Sequence, residues 1–314
     1  MEQTNRIKRH AVLFLILLLL GSAGLAQQAV AQTPYTWGNN VYGRLGDSTS
    51  DLRNTPGKLT SPKFVAGISA GGEYTLAITT DGNVWGWGHN DHAQIGDRDN
   101  GNSTIPIQIP GITGVVQVSA GYYHVLALKS DGTVWGWGYN GHGAVGDGTN
   151  TAHLPPVQVS GLTDVVQVSA GMYHSLAVKS DGTVWSWGYN ETGQLGDGTN
   201  TETWSPVQVP GLAGAIQVVA GRSHSAALMS DGTVWSWGYN NVGQLGDGTN
   251  TDSWSPILSS INNVTQLSAN HNSTLAVKSD GTVWGWGYNN VGQLGDGTNA
   301  NRSTPVQVSL ALCR

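Results

Sequence analysis

The chain is poor in charge, in cysteine and, beyond its first segment, in long apolar runs. Only 11% of its 314 residues are Asp, Glu, Lys or Arg, against about 25% in an ordinary soluble domain. The single cysteine, Cys313, has no second cysteine to pair with, so a disulfide framework is excluded. After the N-terminal segment, no apolar stretch reaches the about 20 residues that a membrane-spanning helix needs. Glycine and tryptophan are frequent instead, with 45 and 13 copies, and this favours a β protein with many tight turns.

The first 31 residues have the layout of a secretory signal peptide. A basic start (Arg6 to Arg9) precedes an apolar run (Ala11 to Leu20), and small residues (Ala29 to Ala31) follow. This order predicts export and removal of residues 1–31. The apolar core of about ten residues is short for a membrane span, and a retained N-terminal anchor is the alternative. We therefore expect the protein to be secreted or held in the cell envelope.

The charge balance argues against nucleic acid as a partner. Without residues 1–31 the chain has 11 basic and 19 acidic residues, a net charge of −8, and it contains no Lys/Arg cluster. Proteins that bind nucleic acid usually present a basic patch to the phosphates. An anionic membrane surface is a poor partner for the same reason.

One stretch, represented by residues 181–200 (DGTVWSWGYNETGQLGDGTN), recurs through the rest of the chain. The second Trp of each W-x-W-G motif lies at Trp87, Trp137, Trp187, Trp237 and Trp286, and a lone W-G lies at Trp37. The spacings are 50 residues, except for a last one of 49. A period of this length indicates stacked or radial repeat units.

Each unit contains four segments with strand character, which we name A to D. In the unit that begins at Val165, residues 165–171 alternate apolar and polar side chains, and residues 174–179 and 183–188 flank an Asp-Gly turn. Residues 207–209 form a short segment D between two prolines. Because proline is tolerated at strand ends and edges, D is predicted to be the outermost strand. No segment after the first 31 residues has helical periodicity.

The pattern predicts an all-β fold, a β-propeller of four-stranded antiparallel blades with five full repeats plus a half repeat. An open solenoid is the less favoured alternative. The first unit begins directly on strand C, so we expect either six blades with an incomplete terminal one or an incomplete array. The repeat domain spans residues 32–314, with units near 35–66, 67–114, 115–164, 165–214, 215–263 and 264–314.

Three linked motifs carry a resemblance to a known family. They are W-x-W-G-x-N-x-x-G-Q-L-G at residues 185–196, P-V-Q-V at 206–209, and A-G-x-x-H-x-L-A-[VL]-K-S-D-G-T-V, which appears as AGRSHSAALMSDGTV at 220–234 and covers strand B and the B–C turn. The pattern resembles the regulator of chromosome condensation repeat family. This resemblance implies a β-propeller, commonly of seven blades. Its founding nuclear members are guanine-nucleotide exchange factors that bind chromatin. A secreted bacterial inhibitor of β-lactamase resembles another relative with this scaffold.

The repeated polar residues favour structural roles. His124, His174 and His224 occupy one column of the repeat, and equivalent residues of successive blades do not converge on one point, so we expect hydrogen bonds to neighbouring turns. A ring of three histidines around a metal is the alternative. The recurring G-D-G-T-N loops lack the ligand spacing of known calcium loops, and Asp and Asn favour turns in any case. We predict no metal, no cofactor and no catalytic residues, since no phosphate-binding loop or nucleophile motif is present.

The tryptophans divide into two groups. Trp185 and Trp187 are two residues apart on strand C, so they point to one face and are expected in the core between blades. Sugar-binding platforms are the alternative. Trp204 and Trp254 lie before strand D in only two units and are expected to be accessible.

Binding is predicted on the rim that carries the A–B loops and the C–D loops. The B–C turns hardly change between units, whereas the loops on this rim vary and carry aromatic side chains, which often dominate binding surfaces. Neutral drift of exposed loops would give the same variation. The candidate binding residues are Glu73, His89, His92, Tyr122, Tyr123, His142, Met172, Tyr173, Glu191, Trp204, Arg222, Trp254 and His271.

We expect a non-enzymatic scaffold that binds a protein partner through this rim. Carbohydrate or cell-wall binding through the exposed tryptophans is the alternative. Exchange-factor activity, implied by the family resemblance, requires that residues 1–31 are not a signal.

Overall fold

The protein is described by a computed structural model, which places residues 32–96 and 101–309. The predicted signal peptide and Cys313 lie outside these residues. The described chain contains 22 β-strands and one short 3-10 helix at Val41–Gly43. The strands form one two-stranded sheet and five four-stranded sheets, all antiparallel. Each four-stranded sheet is formed by four consecutive strands, so the sheets are the blades of a propeller.

The strands follow the repeat closely. The half-blade contains β1 (Tyr35–Gly38) and β2 (Arg53–Lys58). Blade 1 contains β3 (Val65–Ala70), β4 (Tyr74–Thr79), β5 (Val84–Gly88) and β6 (Ser103–Gln108). Blade 2 contains β7 (Val115–Ala120), β8 (His124–Lys129), β9 (Val134–Gly138) and β10 (His153–Gln158). Each blade begins near the predicted unit boundary; blade 1 begins at Val65, two residues before it.

The remaining blades repeat this arrangement. Blade 3 contains β11 (Val165–Ala170), β12 (His174–Lys179), β13 (Val184–Gly188) and β14 (Thr203–Gln208). Blade 4 contains β15 (Ala215–Ala220), β16 (His224–Met229), β17 (Val234–Gly238) and β18 (Ser253–Leu258). Blade 5 contains β19 (Val264–Asn270), β20 (Ser273–Lys278), β21 (Val283–Gly287) and β22 (Arg302–Gln307).

Strand D differs from its prediction. It lies at the edge of each sheet, as expected, but in blade 3 it runs over Thr203–Gln208 rather than residues 207–209, so Trp204 lies in the strand and not before it. The pairing with strand C is irregular: Ser186 faces Val207 but Gly188 faces Thr203. This irregularity gives room for Pro206, which has no N–H to donate.

The B–C turn shows why the repeat folds locally. Gly182 has a φ of +78°, a conformation that glycine adopts without steric cost. The Asp181 carboxylate accepts hydrogen bonds from the Thr183 N–H at 2.9 Å and from the Thr183 hydroxyl at 2.7 Å. The Asp-Gly-Thr sequence therefore closes the hairpin with its own side chains.

The core consists of separate clusters between adjacent blades. Between blades 2 and 3, the fully buried Trp187 ring packs among aliphatic side chains of both blades, and Trp185 packs against the same cluster from its edge. The Trp187 Nε1–H donates to the Ala144 carbonyl of blade 2 at 2.8 Å. Trp87, Trp137, Trp237 and Trp286 make the equivalent bond to the preceding unit. The prediction that these tryptophans form the core between blades is confirmed.

Candidate protein-binding rim

The A–B loops lie at one end of the propeller and bond to one another through the backbone. Gly72 N–H donates to the Gly121 carbonyl at 3.2 Å, and Tyr122 N–H donates to the Gly171 carbonyl at 3.1 Å. Arg222 N–H donates to the His271 carbonyl at 2.7 Å. Each bond joins the loop of one blade to that of the next. These bonds therefore fix the backbone that positions the loop side chains.

The C–D loops at the same end are held by a buried asparagine in each unit. In blade 3 the Asn190 amide donates to the Asp197 carboxylate at 3.2 Å and to the Thr199 and Thr201 carbonyls. Its oxygen accepts the Leu195 N–H at 2.9 Å. This asparagine is the constant N of W-G-x-N, and it leaves the residue before it free to project onto the rim.

Aromatic rings from both loop sets form one continuous surface. Tyr123 stacks on Tyr173 with ring centres 5.3 Å apart, and His142 lies 5.2 Å from Tyr173 and 4.7 Å from Tyr189. Tyr122 joins Tyr123 at 5.8 Å and His271 at 6.3 Å. We call this group the aromatic rim cluster; its members are His92, Tyr122, Tyr123, Tyr139, His142, Tyr173, Tyr189 and His271.

The contacts in the cluster connect distant parts of the chain. Tyr122 belongs to blade 2 and His271 to blade 5, so their contact spans the end of the propeller. The rings are half-buried rather than fully buried. They therefore keep apolar area that a partner can cover.

Burial changes the acidity of several members. Desolvation, together with the neighbouring Tyr123, raises the pKa of Tyr173 to about 12. Desolvation likewise raises the pKa of Tyr122 and lowers the pKa of His92. Tyr122, Tyr173 and His92 are therefore uncharged at neutral pH and give the rim uncharged aromatic surface.

Charged groups surround this centre. Glu202 accepts a bond from His142 Nδ1 at 2.9 Å and also from the Trp204 indole N–H at 3.3 Å. Glu191 accepts a bond from the Tyr189 hydroxyl. Arg222 is exposed and lies 3.3 Å from His271 Nε2. The rim thus has carboxylates and the Arg222 guanidinium at its margin.

The other predicted residues lie beside the cluster or apart from it. Glu73 forms an ion pair with Arg44 at 3.5 Å. His89 contacts the Tyr42 ring at 4.7 Å and the Asp91 carboxylate at 3.0 Å. Met172 is half-buried on its A–B loop.

Trp204 and Trp254 are 39% and 47% exposed on the outer strands. Each covers a glycine of the preceding blade's C–D loop, Gly143 and Gly193 respectively, leaving no room there for a Cβ.

Three residues in this region were missed from the sequence. Tyr139 and Tyr189 occupy the x position of W-G-x-N and were treated as part of the constant pattern, although their rings belong to the cluster. Glu202 precedes strand D and bridges His142 and Trp204. The available signal was that strand C ends on the predicted rim, so the residue after W-G had to project there.

The histidine column has a different role from the rim histidines. His124 Nε2 lies 2.8 Å from the Ser175 hydroxyl of the next blade, and that hydroxyl donates to the Ala144 carbonyl at 2.7 Å. The histidine must therefore be the donor. His174 and His224 make the same contact with Ser225 and Thr274. The structural interpretation holds, but the partner is a strand hydroxyl of the next blade rather than a turn.

Burial keeps these histidines neutral. Desolvation lowers the pKa of His124 to about 4 and the pKa values of His174 and His224 to about 3. A His–Ser pair is also found in serine hydrolases. Here Ser175 is fully buried and its proton is held by a backbone carbonyl, so the pair joins two blades.

The aspartates of the G-D-G-T-N loops have internal partners. The Asp197 carboxylate accepts bonds from the Asn190 amide, the Thr199 N–H and the Thr199 hydroxyl. Within residues 32–96 and 101–309, no group of three or more His, Cys, Asp or Glu side chains is arranged to hold a metal ion. In the same part of the chain, no helix has the length and apolar character to cross a membrane.

The fold and the rim define a repeat propeller whose variable loops gather at one end. A family model described as the RCC1-like domain matches residues 22–314. The chain therefore belongs to the RCC1-like domain family. Comparison with curated protein sequences finds no match.

Solved structures share this fold. Human WBSCR16 superposes with a TM-score of 0.79 at 25% identity, covering 88% of this chain and 76% of that one. Prp20p from Saccharomyces cerevisiae has a TM-score of 0.79 at 22% identity, covering 91% of this chain and 74% of that one. Yeast RCC1 (Prp20) in its complex with Kap60 has a TM-score of 0.63 at 19% identity, covering 100% of this chain and 92% of that one.

Proposed function

We propose that this protein is a non-enzymatic scaffold that binds another protein through the aromatic rim cluster, after export to the outside of the cell or to the cell envelope. The observation that carries the proposal is the continuous group of five tyrosines and three histidines on one end of the propeller. Tyrosine supplies a large contact area, loses little conformational entropy and carries a hydroxyl, and it is enriched at binding hot spots.

The family supports a binding role. Yeast Prp20p binds Gsp1p and histones, and a structure of yeast RCC1 (Prp20) contains Kap60. The partner of this chain should differ, because the net charge of −8 without residues 1–31 disfavours chromatin. Exchange-factor activity would require an intracellular location, and N-terminal sequencing of the purified protein tests that directly.

A photo-cross-linking experiment tests the rim. A benzophenone amino acid at position 123 should cross-link a partner from the surrounding medium, whereas the same group at position 64 should not, because Phe64 is 66% exposed but lies in the D–A turn at the other end. Replacing Tyr122, Tyr123 and Tyr173 by Ala should remove binding of the isolated partner. The matched control replaces Phe64, Val166 and Ile216, three exposed apolar residues away from the rim. Equal binding by the two triple variants would refute the assignment.

Carbohydrate binding is the second candidate function. Its support is the exposure of Trp204 and Trp254 at equivalent positions of two adjacent blades. Sugar titrations followed by tryptophan fluorescence separate the two candidates. Quenching that is lost in a Trp204→Ala, Trp254→Ala variant and kept in the triple-tyrosine variant would favour the carbohydrate.

A further inference from the structure

Neighbouring blades are joined by side-chain bonds that recur, in whole or in part, from one interface to the next. Between blades 3 and 4, the Gln167 side chain donates to the Val218 carbonyl at 3.0 Å and accepts the Val218 N–H at 2.8 Å. The Ser169 hydroxyl accepts the Ala220 N–H at 2.9 Å. Leu176, Val178 and Val184 pack against apolar residues of blade 4. Blade 2 offers the same bonds to blade 3 from Gln117 and Ser119, whereas blade 1 offers only Ser69 and blade 4 only Gln217. The complete face therefore has a glutamine, a hydroxyl and three aliphatic side chains.

Blade 5 offers most of this face with no following blade among residues 32–309. Gln266 and Ser268 occupy the positions of Gln167 and Ser169 and, within the described chain, bond to no other blade. Their aliphatic neighbours Leu275, Val277 and Val283 are only half-buried, whereas the equivalent residues of blade 3 are at most 1% exposed. Among the residues that the structure describes, this interface surface therefore has no partner blade.

The half-blade has an open strand edge. In a complete blade, strand C pairs with strand B, as Trp187 does with Ser175 and Trp185 with Ala177. In the part of the chain that the structure describes, β1 pairs only with β2. Its Trp37 is half-buried, while the equivalent tryptophans of the five blades are fully buried. An open edge of this kind is a template for an added strand.

The inner strands of blade 1, β3 and β4, also have an incompletely covered face. Ile68 on β3 is half-buried, although its equivalents Val168 and Val218 are at most 1% exposed. From the half-blade, only Leu59 reaches the cluster that covers Val65, Ala77 and Trp87. Side chains that a strand A and a strand B would supply are missing from this cluster.

We propose that this slot, bounded by β1, by the outer face of blade 5 and by β3–β4, is a docking site for a β-hairpin of a second polypeptide. The fitting hairpin has the chemistry of strands A and B in this repeat, with Gln and Ser alternating on its first strand and aliphatic residues on its second. Its second strand adds to the edge of β1 through main-chain hydrogen bonds. Its glutamine bonds the backbone at Ile68, and its apolar residues cover both walls. A two-stranded occupant fits because the half-blade has two strands, whereas each of the five full blades has four.

A synthetic hairpin tests the proposal. The probe is a labelled peptide with the sequence of residues 165–182, which forms strands A and B of blade 3. We expect saturable one-to-one binding to the purified protein by fluorescence anisotropy. A peptide with Gln167→Ala, Ser169→Ala and Leu176→Asp should bind at least about tenfold more weakly, because each change removes a contact of the buried type. Equal binding of the two peptides, or no binding, would overturn the proposal.

Hydrogen exchange and a wall variant locate the site. Peptide addition should slow amide exchange in residues 35–39 and 264–283 and leave the aromatic rim cluster unchanged. Slow exchange of residues 35–39 before peptide is added would mean that another segment of the same chain already fills the slot, and would refute docking in trans. Leu275→Asp should abolish binding, whereas Val116→Asp, at a position 58% exposed on β7, should retain it. The hydrogen-exchange measurement uses the unaltered protein, so it still tests the proposal if the Leu275→Asp variant fails to fold.

Discussion

The buried histidines predict that acid weakens the contacts between blades. His174 is fully buried and has a folded-state pKa of about 3, against 6.5 in the unfolded chain. Between these two values the unfolded chain binds a proton that the folded protein excludes. The free energy of unfolding therefore falls as the pH drops below the unfolded pKa.

The chain itself contains the substitution that should remove this effect. At the interface between blades 1 and 2, Tyr74 occupies the histidine position and its hydroxyl donates to the His124 carbonyl at 2.8 Å. The following residue of the next blade is the fully buried Val125 rather than a hydroxyl. The double variant His174→Tyr, Ser225→Val copies this pair at the interface between blades 3 and 4, two interfaces further along. It keeps a hydrogen bond between blades and has no group that titrates near neutral pH.

The magnitude follows from the two pKa values. When the pH falls from about 7.5 to about 5, each buried neutral histidine lowers the free energy of unfolding by about 2 kcal/mol. The reason is that the unfolded imidazole has a pKa about 1.5 pH units above pH 5 and binds a proton that the folded protein excludes. The three histidines together should lower the free energy of unfolding by about 6 kcal/mol in the natural sequence and by about 4 kcal/mol in the double variant. Urea unfolding at the two pH values measures both. Equal losses in the two proteins would refute the argument, since aspartates with lowered pKa titrate below this window in both.

Three further substitutions test the bonds that hold the blades. Asn190→Ala should lower the free energy of unfolding by about 3 kcal/mol, because it leaves the Leu195 N–H and the carbonyl acceptors of the C–D loop without this partner; the exposed Asn241→Ala is its control in thermal unfolding. Gln167→Ala should cost about 1–3 kcal/mol through loss of two bonds to Val218, and a melting temperature equal to that of the exposed Gln208→Ala would contradict it. Gly171→Ala should destabilise strongly, because its Cβ would lie 2.5 Å from the His174 ring; an unchanged circular dichroism melt would show that the loop can shift.

The sequence was sufficient for the parts of the fold that depend on local pattern. Strand B of blade 3 was predicted at residues 174–179 and is found there, because alternation and the Asp-Gly turn fix both ends. The bounds of strand D were predicted wrongly because its pairing register with strand C shifts between Ser186 and Gly188. A shift of this kind interrupts the alternation of side chains from which a strand is predicted. The half repeat was also visible, since residues 35–38 match strand C without a preceding hairpin.

Contacts between blades were harder to predict because they join residues about one repeat apart. His124 bonds Ser175, and no local signal around either residue states that pairing. A comparison inside the chain would have found it: Tyr74 is followed one repeat later by Val125, whereas each histidine is followed by Ser or Thr. Contacts between blades can therefore be found from positions that change together between repeats, and not from the residues that all repeats share.

The same reasoning separates the structural residues from those available for binding. The constant tryptophan, asparagine and aspartate of the repeat are buried or bonded inside each blade, as Trp187, Asn190 and Asp197 show. Two positions per unit stay free of these bonds and lie on the rim, the A–B loop and the residue after W-G. In blades 2 and 3 both positions carry tyrosine, at Tyr123, Tyr139, Tyr173 and Tyr189. A partner that needs the aromatic rim cluster should therefore contact blades 2 and 3 most closely, and substitutions in blades 4 and 5 should weaken its binding less.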